Sequence, residues 1–160
     1  MYRFITIIAA LVGILVLQLQ PPALLDTPCI NQGQESEVAS SNFDAEEFAE
    51  REFDLVVYGA TGFTGKLVVE YLSESYPSLK LGLGGRNMKK LKEQIKSYKL
   101  SNATPFQAGS DDKAALKRIA EKTRVVIALA GPYVLYGSTL VEACAESGTN
   151  YVDLSGEVSY

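Results

Sequence analysis

Five short runs of strand-forming residues recur along the last two thirds of the chain, at about 53–58, 79–87, 103–108, 124–130 and 150–154. Between them the apolar positions change period. Leu67, Val68, Tyr71 and Leu72 fall at helical spacing over about 63–74; Leu91, Ile95 and Tyr98 do so over 88–99. Leu116, Ile119 and Ala120 repeat the pattern after Asp111-Asp112, an acidic start suited to a helix dipole, and a last helix is expected over 136–147, stopped by Gly148. Val125-Val126-Ile127-Ala128-Leu129 is unbroken and apolar, as a strand covered on both faces requires. Strands alternating with helices at this interval imply right-handed crossovers and a parallel sheet. The expected fold is α/β, a Rossmann-like doubly wound parallel sheet of order 3-2-1-4-5. A ligand should lie over the C-terminal strand ends, at the switch between the first and fourth strands.

The turn after the first strand carries Gly59, Gly62 and Gly65 at a spacing of three. Strand, glycine turn and helix form the phosphate-cradling opening of a dinucleotide-binding unit: the main chain can approach a pyrophosphate, and the helix start offers free N–H groups and partial positive charge. The candidate contacts are Gly59, Thr61, Gly62, Phe63, Thr64 and Gly65, with Thr61 or Thr64 available to cap the helix. The spacing is GxxGxxG, and by itself it also fits a glycine turn that merely ends a buried strand. Arg86 stands 21 residues beyond Gly65, after Gly84-Gly85, which are read as the turn closing the second strand. An NAD-binding unit places an acid there for the ribose hydroxyl; a guanidinium instead suits the 2′-phosphate of NADP, with Lys89 or Lys90 placed to assist.

At the switch point stands Ala130-Gly131-Pro132-Tyr133. Gly131, Pro132 and Tyr133 are candidate cofactor contacts; Tyr133 and Tyr136 either stack on the cofactor or face a substrate, or else Tyr133 packs on a neighbour in a plain turn. Ser155 and Glu157, beyond the fifth strand, either reach the nicotinamide region or cap their own loop. Tyr76 and Lys80 have the YxxxK spacing of short-chain dehydrogenases, but Pro77 breaks any helix that would align them. No catalytic residue can be assigned.

Charge sharpens the domain boundaries. The formal charge of −4 is unevenly spread: of 19 acids, seven lie in residues 26–50, which hold no Lys or Arg. The remaining 12 acids face 14 of the 15 bases in 51–160, about +2. No basic stripe interleaved with aromatics suggests nucleic acid. There is no His, which excludes a His-based triad and a His/Cys metal cluster; Cys144, in an apolar helical pattern, reads as a core residue. Residues 26–50 read as an acidic, disordered linker. Residues 1–25 read as an N-terminal hydrophobic helix, a signal anchor or signal peptide, with a 14-residue apolar run from Phe4 to Leu17 and a membrane-embedded stretch over 4–25. The Arg3 flank places residues 26–160 on the far side of a membrane, where the sequon Asn102-Ala103-Thr104 would matter.

Taken in order, the stretch from Val56 to Gly65, Gly84-Gly85-Arg86, Ala130-Gly131-Pro132-Tyr133 with Tyr136-Gly137, Ala143-Cys144 and Tyr151 to Glu157 closely resemble the saccharopine dehydrogenase-like oxidoreductases, a group that includes the trans-acting enoyl reductases. The resemblance implies an NADP-binding Rossmann domain over 51–160, hydride transfer to or from a lipid-related enoyl or carbonyl substrate, and a role in lipid or glycolipid metabolism. It further implies association with endomembranes or lipid droplets, against which the flanking charges set a secretory lumen. In that family a larger substrate domain follows. This sequence ends at Tyr160 and is read as the cofactor half alone, completed by a homo-oligomer or partner chain. The competing expectations are a non-catalytic, membrane-tethered NADP-binding regulatory module, or a truncated gene fragment.

Overall fold

The structure is a computed structural model that describes Phe48 and residues 50–158. These belong to the second of two units into which the chain divides, Asn42–Tyr160. The expected N-terminal hydrophobic helix lies outside the described residues, as does nearly all of the acidic linker. Among the described residues, no helix is long and apolar enough to cross a membrane.

In chain order the elements are β1 (Phe53–Tyr58), α1 (Phe63–Ser75), β2 (Leu81–Gly85), α2 (Met88–Ser97), β3 (Ala103–Gln107), α3 (Lys113–Lys122), β4 (Thr123–Ala128), α4 (Tyr133–Tyr136), α5 (Ser138–Glu146) and β5 (Asn150–Asp153). The five strands form one sheet in the order β3-β2-β1-β4-β5, every pair parallel. This is the expected Rossmann-like arrangement. The central strand, β1, is apolar and buried along nearly its whole length, with Val56 and Val57 fully covered, as a strand with neighbours on both edges and helices on both faces must be. Tyr58 stands in register with Gly84 on one side and Ala128 on the other.

Helices cover both faces. Leu116, Ile119 and Ala120 of α3 and Leu140, Ala143 and Cys144 of α5 pack with Val56, Val126 and Phe53 into one cluster. Phe53 meets Phe106 edge-on, ring centroids 5.1 Å apart. Burial pushes the Cys144 thiol up to about 12, so it stays protonated and behaves as a small apolar side chain.

Two expectations change. Gly84-Gly85 does not form the turn after the second strand; both residues belong to β2. The reason is packing: a Cβ at Gly84 would stand 3.0 Å from Tyr58 Cδ2, and one at Gly82 2.9 Å from the Phe106 ring. The second strand is thin so that aromatics of its neighbours can lie across it. Second, the helix expected over 136–147 is two pieces that begin earlier, α4 at Tyr133 and α5 at Ser138, joined at Gly137.

Candidate functional site

All strands run the same way, so the loops after β1, β2, β3 and β4 share one edge of the sheet. The loop between β1 and α1 turns sharply. Gly59 takes φ +84°, where a Cβ would meet Ala130 N at 2.9 Å. Gly62 N–H donates to the Gly59 carbonyl at 3.0 Å and Gly62 is the N-cap of α1. No side chain caps the helix there, so neither Thr61 nor Thr64 takes the capping role foreseen for it. The first intrahelical bond runs from Lys66 N–H to the Gly62 carbonyl at 3.0 Å. The amides of Phe63, Thr64 and Gly65 precede it and have no intrahelical acceptor. A helix start left without a side-chain cap, behind a turn that no side chain can fill, is a fitting cradle for a diphosphate.

Each glycine answers a different demand. Gly59 lets the turn pass against the end of β4. Gly65 is buried under the turn, where a Cβ would lie 2.3 Å from the Gly59 carbonyl oxygen and 2.6 Å from that of Ala60. It allows α1 to start directly against the strand.

A cleft of about 270 Å³ opens in front of this turn. It brings together six of the residues singled out from sequence: Gly59, Thr61, Gly62, Arg86, Gly131 and Tyr136. Tyr58, Gly85, Ser110, Leu129 and Ala130 complete its walls. Arg86 is exposed at the end of β2, where its guanidinium lies near enough to Tyr58 to act against the rise in the Tyr58 pKa that burial causes. Asp111 and Asp112, beyond β3, add to that rise. Ser110 and Tyr58 escaped the sequence reading. The signal for Ser110 was topological: it follows β3, at the edge where a ligand belongs.

The other candidates lie apart from the cleft lining. Phe63 opens α1 at 84% exposure, Thr64 is half-buried, and Pro132 is exposed after a cis Gly131–Pro132 bond. Tyr133 is buried; its hydroxyl donates to the Ala128 carbonyl at 2.9 Å and accepts from Leu154 N–H at 3.3 Å. It packs on its neighbours and ties the end of β4 to the end of β5, while Tyr136 is the tyrosine of this segment that lines the cleft.

Glu157 takes the capping alternative. Its carboxylate accepts from Tyr133 N–H at 2.8 Å and from Val134 N–H at 2.9 Å, and so starts α4 three residues before the expected helix. Ser155 Oγ in turn accepts from Glu157 N–H at 3.2 Å, and Asp153 accepts from Ser155 N–H at 2.9 Å. The run from Asp153 to Glu157 is thus a latch that holds the β4–α4 turn. Glu157→Ala is expected to lower the thermal midpoint by about 5 °C, the loss of roughly 1 kcal/mol of cap energy. Hydrogen exchange should quicken over 133–136 and not over β1 to β3; unchanged exchange there would refute the latch.

Comparison with known proteins matches this geometry to a family. The family model described as the saccharopine dehydrogenase NADP binding domain matches residues 55–160. A lipid droplet localized protein of Caenorhabditis elegans is 43% identical over 116 residues, covering 68% of this chain and 27% of that protein. A trans-acting enoyl reductase of Mycobacterium tuberculosis (strain ATCC 25618 / H37Rv) is 41% identical over 115 residues, covering 70% of this chain and 27% of that enzyme. The chain therefore spans about a quarter of the length of the curated relatives it matches. Among solved structures, the apo saccharopine dehydrogenase (L-Glu forming) of Saccharomyces cerevisiae superposes with a TM-score of 0.54 at 20% identity, covering 65% of this chain and 22% of that one. A short-chain dehydrogenase/reductase of Veillonella parvula in complex with NADP gives 0.54 at 17% identity, over 64% and 48%. These two share the fold. The match over 55–160 settles the family: the chain belongs to the saccharopine dehydrogenase NADP-binding domain family, whose cofactor is NADP.

Proposed function

We propose that residues 53–158 are the cofactor half of an NADP-dependent oxidoreductase acting on a lipid-related enoyl or carbonyl compound. The observation that carries this reading is the meeting of the glycine turn and Arg86 in one cleft. Gly59, Thr61, Gly62 and the amides of Phe63, Thr64 and Gly65 hold the diphosphate. Arg86 takes the 2′-phosphate by charge-assisted hydrogen bonds. Gly131, Pro132 and Tyr133 shape the turn on which the nicotinamide half rests, and Tyr136 faces it. The bound nicotinamide supplies the hydride donor or acceptor. What this chain would add is orientation: the glycine turn would hold the diphosphate and Arg86 the 2′-phosphate, so that the adenosine half is held at two points.

The lipid-related substrate is supported by the names of the relatives, a trans-acting enoyl reductase and a lipid droplet localized protein. The remainder of the substrate pocket comes from polypeptide outside the shared span or from a partner chain, because the match covers 27% of those relatives. Residues 4–25 anchor the domain at an endomembrane or a lipid droplet.

One observation favours a second reading, a membrane-tethered NADP-binding regulatory module. Glu157 is the acid singled out beyond the fifth strand for the nicotinamide region, and its carboxylate is occupied by the amides of Tyr133 and Val134. Oxidation of NADPH on addition of enoyl or carbonyl lipids separates the two readings; binding without turnover selects the module.

Arg86→Gln tests the site itself. It should weaken NADPH binding by about 10- to 100-fold, the range of a charged hydrogen-bonding pair, and leave NADH binding unchanged. Equal NADPH affinity in the variant and the parent would remove Arg86 from the site.

A further inference from the structure

The positive charge of residues 51–160 is gathered in one place. Residues 86–99 carry six bases against the single acid Glu93, while the rest of 51–160 carries eight bases against eleven acids. We propose that the outer face of α2, formed by Lys89, Lys92 and Lys96 and extended by Lys99, docks on an anionic lipid surface. The proposal goes beyond the cofactor reading and does not depend on it.

The helix sets the geometry. Leu91 and Gln94 are buried and Ile95 is half-buried, which fixes the inner side of α2. Lys89, Lys92 and Lys96 follow one another at steps of three and four on the side turned away from the sheet, and all three are exposed. They form a stripe about 10 Å long. Past the helix end, Lys99 is exposed in the closing turn, where Leu100 N–H returns to the Ile95 carbonyl at 3.0 Å.

These lysines differ from those of α3. Lys113, Lys117 and Lys122 each pair with a carboxylate, of Glu142, Glu146 or Glu52. Among the described residues, none of Lys89, Lys92, Lys96 and Lys99 enters an ion pair. An anionic surface therefore gains their attraction without breaking an existing contact. The two sets also lie on opposite sides of the molecule. The chain steps from β1 to β2 to β3 one way and returns across β1 to β4, so right-handed crossovers put α1 and α2 on one face of the sheet and α3 on the other.

The make-up of the stripe favours lipid over a protein partner. Protein interfaces draw on aromatic residues, Met and Arg around a dry centre and are poor in Lys. The stripe offers hydrated point charges alone, which suit a fluid field of headgroups that no fixed geometry has to match. It also lacks the interleaved aromatics of a nucleic-acid surface. Tethering through residues 4–25, as proposed above, raises the local concentration of lipid, so a weak contact suffices.

Lysine acetylation of the full chain, read by mass spectrometry, tests this. On vesicles of equal parts phosphatidylcholine and phosphatidylserine, Lys89, Lys92 and Lys96 should react more slowly than on phosphatidylcholine alone, and salt should remove the difference. Lys113 and Lys117, on the other face, should react alike on both. In Lys92→Gln/Lys96→Gln the ratio of docked to free domain should fall about 25-fold, roughly fivefold per lysine, so that Lys89 loses its protection. Because both positions are exposed and unpaired, the melting temperature should not move. Equal labelling on the two kinds of vesicle overturns the proposal, as does protection of Lys89 that survives in the double variant. Protection by soluble polyglutamate and not by the anionic vesicles also overturns it and assigns the face to an acidic protein.

Discussion

Gly65→Ala is expected to abolish measurable NADPH binding and to lower stability by about 3 kcal/mol, near the upper end for an overpacked site. The added methyl would stand 2.3 Å from the Gly59 carbonyl oxygen and 2.6 Å from that of Ala60. Both atoms are backbone, so no side chain can rotate away. Either α1 retreats from the sheet or the turn opens. Retreat of α1 uncovers Val68, Val69 and Leu72, which are buried under it, and carries the helix start away from the diphosphate. Opening the turn breaks the bond from Gly62 N–H to the Gly59 carbonyl, and with it the arrangement of amides around the cleft. Thermal melts with and without NADPH measure both losses. A variant that melts as the parent does and is still stabilised by NADPH would show that the tight approach of helix and strand is not needed for the site.

Arg51→Ala is expected to cost about 3 kcal/mol without touching the cleft. Nη1 donates to the Ala120 carbonyl at 3.1 Å, to the Thr123 carbonyl at 2.8 Å and to Thr149 Oγ1; Nη2 donates to the Ser147 carbonyl. The Phe48 ring lies 5.3 Å from this guanidinium and 5.8 Å from that of Arg124. One side chain thus ties the entry of β1 to the end of α3, the start of β4 and the loop before β5. Its removal leaves three part-buried carbonyls without a charged donor, and charged hydrogen bonds contribute about 1.5–3 kcal/mol each before neighbours and water compensate. Lysine should recover little, because a point charge cannot serve a fork of acceptors. A fall in the urea midpoint at an unchanged slope is the expected record. NADPH affinity of the remaining folded protein should be that of the parent, since Arg51 lies at the sheet edge opposite the glycine turn. A midpoint equal to the parent's would mean that water replaces the clasp at no cost.

Much of the site could be read in the chain because its parts are local. Gly59, Gly62 and Gly65 fall within seven residues, and Arg86 follows at the end of the next strand, so neighbouring strands bring them together with no long-range information. The strands declared themselves by their apolar runs, since burial on both faces leaves little freedom of composition. What escaped depends on distance. The hydrogen-bond partners of Arg51 lie 69 to 98 residues away, and its position before β1 looks like any charged linker residue. Gln94 sits among lysines on a helix that reads as solvated, yet it is buried because the glycine turn supplies a carbonyl beneath it. Glu157 kept two alternatives open in the sequence, and only the placement of the Tyr133 and Val134 amides chose between them. The helix start at Tyr133 was missed for the same reason: its cap comes from 24 residues further on.

By itself, the sequence determined the α/β alternation, the strand order and the place of the glycine turn at the switch point, because periodicity and backbone-permissive residues are properties of short stretches. The tertiary structure alone decided which side chains are spent on holding the fold and which remain for a ligand. Tyr133 and Glu157 are consumed in latching β4 to β5, while Arg86, Thr61 and Tyr136 are left at the cleft. The physical reason is that a polar group's role depends on whether a buried partner already claims it, and those partners come from strands that meet only when the sheet is assembled.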